Sequence, residues 1–359
     1  MNEIIKEEKT DLLYKCDIIK VTMMLLVILG HSLALWRSSG WFNQEAAEKN
    51  IIFDYIATIL ENIHNYNFVF ISGYIFYYSK FECGKYNNFF YDIVKRAKRL
   101  LIPYMFVSII WVAPFKMLFY KCDISDIIYD FVLAIGPSQL WFIWMIFLLF
   151  VIFHILGEKI EDSNLVTGLI VAIVLYGVGI IGSKFIPNIF QIWSACKYFL
   201  FYYMGFILRK NSKYVEKIII DTKNKYIILL VIIEIIVSSI YFICKINDFS
   251  KILIFGTRFL SQIIGVITVV CVFEKINLKR IMNNSLYIFL KRYNFGMYLF
   301  HQQILYVSIT AFNGKVSSVV LGFANFIIAS ICSALITYIL SKSRATSFLI
   351  GLRQNERRI

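Results

Sequence analysis

Charged residues are scarce in this sequence, at 17% of its 359 residues. Soluble globular domains carry about 25% charged residues, whereas 59% of this chain is hydrophobic. The apolar residues form runs such as 226–244 and 316–340, which are long enough to cross roughly 30 Å of hydrocarbon as helices. Because the hydrophobicity is continuous rather than alternating, a transmembrane barrel is excluded. We predict an all-α integral membrane protein.

Paired cysteines, a cleavable signal and internal repeats are also missing. The seven cysteines are scattered without a CxxC pair, which indicates neither a disulfide framework nor a metal site. Residues 1–16 mix charges of both signs, and no small-residue cleavage site follows the first apolar run, which we interpret as a retained anchor. We find no repeat of solenoid period and no room for a soluble domain. We predict one membrane-embedded domain over 1–359, with spans between about 19 and 340 and a short basic cytoplasmic tail at 341–359.

The apolar runs predict about ten transmembrane helices. Their approximate ranges are 19–37, 52–78, 100–119, 139–156, 165–182, 192–208, 226–244, 252–274, 293–312 and 317–340. Residues 81–99 are expected to form a cytoplasmic segment with an amphipathic half, and residues 121–138 an outer loop with a short interfacial helix.

The net charge of +14 reflects basic loops rather than a nucleic-acid partner. If the N-terminus is inside, the inner segments collect about 27 of the 37 basic residues, which is the bias that cytoplasmic loops show. Both termini are therefore predicted to be cytoplasmic, as an even number of spans requires. The expected location is the cell membrane, in multi-pass form.

Three of the four histidines fall inside predicted spans: His31, His64 and His301. They lie roughly 17, 24 and 14 Å along their helices from the nearest basic inner anchor. An ionisable group at that depth is costly, so the three together predict a polar cavity in the membrane. Each one alone is also explained by a hydrogen bond between helices.

Lys20 and His31 are eleven residues apart in the first span. Eleven residues turn a helix by about 1100°, within roughly 20° of three full turns. The two side chains therefore share a helix face, with His31 roughly 17 Å deeper. This arrangement suits a long substrate with an anionic head and a reactive far end, as acyl-CoA has. The alternative is that Lys20 extends to the interface and His31 bonds a neighbouring helix.

Arg96 and Arg99 stand three residues apart at the start of the third span. Neighbours at this spacing share a helix face and would fork together onto phosphate oxygens. Ordinary anchoring at the inner interface, or lipid headgroup binding, explains the same spacing.

Five motifs in order resemble the integral membrane acyltransferase 3 family. They are Asp17-x-x-Lys20 with Gly30-His31, His64 with Phe68-Val-Phe-Ile-Ser72-Gly73-Tyr74, Arg96-x-x-Arg99 with Pro103-Tyr104, Leu140-Trp141-Phe142, and Gly296-Met-Tyr298-Leu-Phe-His301. The resemblance covers the whole chain and implies about ten spans. It departs from many members at Lys20, where they carry arginine, and at Tyr66, where they carry proline. The lysine form resembles a branch associated with O-acetylation of sugars.

The resemblance implies acetyl transfer from cytoplasmic acetyl-CoA to a hydroxyl of a cell-surface polysaccharide or a lipid-linked sugar precursor. It also implies that Lys20, Arg96 and Arg99 contact the acetyl-CoA. His31 would be the general base, with a transient acetyl-imidazole as the alternative. Residues His64, His301 and Glu61 would line the substrate cavity, and Glu61 would either orient an imidazole or lie at the outer interface. No resident cofactor and no metal is expected.

A transporter or flippase for a polar or lipid-linked sugar is the rival interpretation, since it also places histidines on a substrate path. It does not explain a basic rim aligned with a histidine in mid-membrane. The expected partners are acetyl-CoA, a sugar or glycan acceptor and the lipid bilayer, with no nucleic acid. Because no C-terminal hydrolase-like domain follows, the membrane domain would act alone or with a separate partner. The oligomeric state, including a homo-oligomer, stays open.

Overall fold

A computed structural model describes residues 2–37, 40–41, 44–276 and 279–352. The protein is 85% helical, and the described part contains no strand. The helices of this part are α1 Asn2–Ser32, α2 Ile51–Tyr77, α3 Phe89–Val107, α4 Ala113–Tyr120, α5 Ile124–Val132, α6 Trp141–Asp162, α7 Leu165–Phe185, α8 Ile192–Lys210, α9 Ser212–Asp221, α10 Asn224–Ile246, α11 Lys251–Lys275, α12 Lys279–Met282, α13 Ser285–Phe312, α14 Ser318–Leu340 and α15 Arg344–Leu349. The predicted all-α class is confirmed.

Six helical segments of the described residues are long and apolar enough to cross a membrane. They are Phe89–Tyr120, Ser138–Asp162, Leu165–Phe185, Asn224–Ile246, Lys251–Lys275 and Ser318–Leu340. Four other predicted spans coincide with the long helices α1, α2, α8 and α13. These four helices are long enough to span a membrane but are not apolar enough, because polar and charged side chains interrupt them. In α2, for example, the interrupting residues are Asp54, Glu61 and His64. Ten spans therefore stay a prediction.

At two predicted spans the ends of the helix differ from the ends of the apolar run. The first helix begins at Asn2 and ends at Ser32, whereas the sequence suggested a span over 19–37. The third begins at Phe89 rather than near residue 100, since the Asn88 side chain accepts a hydrogen bond from the backbone N–H of Tyr91 at 3.0 Å and caps it. A π-helical turn at Ser108–Val112 joins α3 to α4.

The chain folds into two compact units, each continuous in space but not in sequence. The first comprises Met1–Ile71, Asn211–Asn294 and Val307–Ser330. Its α10 and α11 are linked by the hydroxyls of Ser238 and Ser261, whose oxygens are 2.8 Å apart. Hydrogen bonds of this kind hold helices together where the surroundings are equally apolar.

The second unit comprises Ser72–Lys210, Phe295–Tyr306 and Ile331–Ile359. Here α7 packs on α8 through glycine: a Cβ atom at Gly179 would lie 2.6 Å from the backbone nitrogen of Lys197. Only a residue without a side chain permits so close an approach of two helices.

The predicted basic tail at 341–359 is partly structured in this second unit. Residues 344–349 form α15, in which Ser347 is buried, and Ile350 after it is buried as well. Gly351 follows with φ +71° and lies against α3, where a Cβ atom would meet the Arg99 carbonyl oxygen at 2.8 Å. Residues 353–359 of the predicted tail lie outside the described residues.

Candidate functional site

In the first unit, Lys20 and His31 lie on one uninterrupted helix, α1. Their spacing keeps them on one face and roughly 17 Å apart along the axis. Both side chains are half-buried. Near Lys20, charged residues tie α1 to its neighbours: Asp17 pairs with Lys291 of α13 at 2.9 Å, and Lys15 pairs with Glu274 of α11. The spacing of charge and histidine is therefore set by one continuous helix.

His31 lies in the last turn of α1, beside an aromatic ring and a second histidine-bearing helix. Its imidazole centroid is 5.4 Å from the Trp41 ring, at a tilt of 40°. The preceding residue, Gly30, faces α2, because a Cβ atom there would lie 3.6 Å from His64 Nε2 and 3.5 Å from Leu60 Cβ. The glycine thus lets α1 approach the helix that carries His64. The structure brings these two predicted residues to the same level of the unit.

His64 lies midway along α2 and is 2% exposed. A polar row accompanies it on the same helix, comprising Asp54, Thr58, Glu61, Asn62 and Asn65. Several of these side chains are buried, with Thr58 and Asn62 both at 1% exposure. Such a row within an apolar helix indicates contact with protein or with a polar ligand rather than with lipid.

Glu61 is held by two arginines, which the sequence did not indicate. Its Oε2 atom is 3.1 Å from Arg37 Nη1, and its Oε1 atom is 3.4 Å from Arg258 Nη2. Arg37 also donates a 3.0 Å hydrogen bond to the carbonyl oxygen of Ala57. Glu61 interacts electrostatically with His64 as well, but more weakly than with either arginine.

In the second unit, Arg96 and Arg99 occupy one face of α3 and are half-buried, whereas Lys95 and Lys98 are exposed. The Arg96 guanidinium carbon lies 5.0 Å from the centre of the Phe150 ring, a cation–π contact with α6. Its Nε atom is buried and has no hydrogen-bond partner among the described residues. The two arginines are thus distinguished from the neighbouring lysines by burial.

His301 lies in α13 of the second unit and is fully buried. Its Nδ1 atom is 3.1 Å from the Met297 carbonyl oxygen and 2.9 Å from that of Tyr298. Because both neighbours are acceptors, Nδ1 carries the proton of the neutral ring and Nε2 is the basic nitrogen.

A hydrogen-bonded glutamine cluster beside His301 was missed in the sequence. Gln139 Nε2 donates to the Leu299 carbonyl oxygen at 2.9 Å and to Gln303 Oε1 at 2.8 Å. Gln302 Nε2 donates to Ser138 Oγ and to Tyr306 Oη, each at 3.0 Å. The Gln302-Gln303 doublet directly after His301, within a span, was the available signal.

Two of the motif glycines serve helix packing. A Cβ atom at Gly73 would lie 1.9 Å from the Tyr202 carbonyl oxygen, and one at Gly296 would lie 2.2 Å from Thr337 Cγ2. His154, the fourth histidine, is buried and sits 3.3 Å from Asp92 Oδ2, which joins α6 to α3. These residues account for how the helices pack against one another, and their contacts give no indication of a catalytic role.

The fold and the composition define the class of this protein. It is a multi-pass helical membrane protein with ionisable groups in its helices. The family model described as an acyltransferase domain, acyltransferase 3, matches residues 13–342, nearly the whole chain. The chain therefore belongs to the acyltransferase 3 family. Comparisons with curated proteins and with solved structures gave no match.

Proposed function

We propose that the protein is a membrane O-acetyltransferase that moves an acetyl group from cytoplasmic acetyl-CoA to a hydroxyl of a cell-surface polysaccharide or a lipid-linked sugar precursor. Family membership supports acyl transfer. The observation that carries the proposal further is the pairing on α1 of a cation and a titratable histidine, roughly 17 Å apart on one face. That separation suits the distance between the charged head and the thioester of acetyl-CoA.

His31 is the proposed general base. Its neutral imidazole would take the proton of the acceptor hydroxyl while that oxygen attacks the thioester carbonyl carbon. As the carbon–sulfur bond breaks, the imidazolium would return the proton to the leaving thiolate of CoA. Atoms and charge balance in this sequence, and neither a metal nor a redox cofactor is needed.

The remaining roles follow from residue chemistry. Arg96 and Arg99 would contact the CoA phosphates, since a guanidinium forks onto two phosphate oxygens, and Lys20 would add a point charge. His64 and His301 would line the substrate cavity, each within its own unit. Glu61, being held by Arg37 and Arg258, would act on the substrate through those arginines.

The test is acetylation by the purified protein in lipid nanodiscs. Radiolabelled acetyl-CoA and isolated cell-surface polysaccharide are supplied, and both CoA release and label in the polymer are measured. We expect the two products in equal amounts. Binding of polysaccharide or lipid-linked sugar without any CoA release would favour the transporter.

We further propose ten spans with both termini in the cytoplasm. A reporter inserted at Gly84, next to Cys83, should then read cytoplasmic, as should one fused after Ile359, whereas one at Gly314 should read external. Gly84 suits insertion, since no atom lies within 4 Å of a Cβ placed there. An external reading at residue 84 would reverse the side from which acetyl-CoA enters.

A further inference from the structure

Five charged residues of the first unit meet at the end of α2 that is remote from Lys20. Arg37 follows α1, Asp54 and Glu61 lie on α2, Lys245 ends α10, and Arg258 lies in the second turn of α11. We call these five residues the charged cluster. Lys245 interacts electrostatically with all four others. Four separate segments of the chain therefore direct charge at one place.

Cations exceed carboxylates in the charged cluster by three to two. Glu61 is shared between Arg37 and Arg258, at 3.1 and 3.4 Å. Asp54 is 7% exposed and accepts a hydrogen bond from Thr58 Oγ1, which in turn accepts one from Lys245 Nζ at 3.4 Å. The two carboxylates are thus engaged, and the five residues together carry a net charge of +1. A partly buried excess charge favours a mobile counter-charge at the same place.

The cluster is accessible to such a counter-charge. The side chains of Glu61 and Arg258 are each 37% exposed. Arg37 is less exposed, and its Nε atom is buried without a hydrogen-bond partner among the described residues. Two guanidinium groups and one ammonium group form the donor set that recognises carboxylate or phosphate oxygens.

A second observation indicates a polar ligand that extends from the cluster towards His64. Asn62 follows Glu61 and lies one turn along α2 from Thr58. It is 1% exposed, and neither its Oδ1 nor its Nδ2 atom has a hydrogen-bond partner among the described residues. Leaving both atoms of a buried amide unpaired is costly. A hydroxyl group satisfies both at once, because it donates and accepts.

We propose that the charged cluster binds an anionic group of the acyl acceptor, a carboxylate or a phosphate, while the hydroxyls of the acceptor extend along α2 past Asn62. The inference rests on the proposed acetyl transfer and adds the substrate class: the acceptor is an acidic glycan or a phosphorylated sugar rather than a neutral one. His64 lies two residues beyond Asn62 on the same helix, so the acceptor would reach the level of the histidines.

Binding is tested first, without acetyl-CoA. The full chain in nanodiscs of zwitterionic lipid is titrated with glucuronate, with glucose 6-phosphate and with neutral glucose, and thermal stabilisation is followed. We expect stabilisation by one or both anions and none by glucose. Arg258→Gln or Lys245→Gln should weaken anion binding by about 10- to 100-fold. Lys49→Gln removes the same charge from an exposed position at this end of the unit and should leave binding unchanged.

Transfer is tested second, with methyl glucuronide, glucose 6-phosphate and methyl glucoside as acceptors. We expect the anionic acceptors to be preferred and Arg258→Gln to raise their KM, whereas the control Lys49→Gln should leave transfer to all three acceptors unaltered. Equal transfer to acidic and neutral acceptors would overturn the anion site and leave the acetyltransferase standing. Anion binding with no transfer to any acceptor would overturn both the acetyltransferase and the assignment of the anion to its acceptor. The binding test is repeated in nanodiscs that contain anionic lipid; stabilisation by that lipid with none by either sugar anion would assign the cluster to the bilayer and overturn the proposal.

Discussion

His31→Ala should reduce acetyl transfer by about 100- to 10,000-fold, the usual loss when a positioned general base is removed. Expression and membrane insertion should be intact, because alanine is apolar and removes an ionisable group from a half-buried position in the last turn of α1. His31→Gln should be equally inactive, since an amide fills the space without accepting the proton. The measurement is label incorporation into the cell-surface polymer per mole of folded protein.

His154→Gln is the matched control for a buried histidine. His154 contacts Asp92 at 3.3 Å within the second unit, so its replacement should lower thermal stability while turnover per folded molecule is kept. His64→Ala and His301→Ala should give intermediate losses, as cavity residues would. Near-normal acetylation by a well-expressed His31→Ala protein would refute His31 as the general base.

Arg99→Ala should weaken acetyl-CoA binding by about 1.5–3 kcal/mol, the contribution of a charge-assisted hydrogen bond. That loss corresponds to roughly 10- to 150-fold in Kd. Arg99→Lys should recover only part of the affinity, because lysine lacks the planar fork. The measurement is equilibrium binding of acetyl-CoA to the purified protein.

Lys98→Ala provides the matched control for Arg99, since it removes the same charge from the adjacent, exposed position of α3. It should leave acetyl-CoA affinity unchanged. If the two variants lost affinity equally, the effect would be one of general surface charge. If neither lost any, Arg96 and Arg99 would serve only as interface anchors.

Membrane-spanning helices were predictable because their signal is local. The run 226–244 became α10 at Asn224–Ile246, since length and apolar composition alone determine such an element. The short helix expected within 121–138 is α5 at Ile124–Val132. Helix ends were less predictable: a single cap at Asn88 moved the start of α3 by about eleven residues from the apolar boundary.

The candidate site was predictable only as a set of residue types. The sequence indicated His31, His64 and the two arginines of α3, but it could not show that Arg96 and Arg99 turn inward while Lys95 and Lys98 do not. The partners of Glu61 depend on tertiary contacts across the first unit, which no local pattern encodes. The Gln302-Gln303 doublet was visible but has no specific meaning until Gln139 is placed beside it.

The separation of Glu61 from its two arginines along the chain affects how the protein is made. Arg37 is synthesised shortly before Glu61, whereas Arg258 follows it by 197 residues. In the proposed ten-span topology, the α1–α2 hairpin therefore leaves the ribosome with its deepest carboxylate already neutralised. Arg258 and Lys245 arrive only with α10 and α11, after most of the chain has been inserted. The proposed anion-binding cluster would therefore be complete only after α10 and α11 have been made, whereas the Arg37–Glu61 pair needs only the first 61 residues.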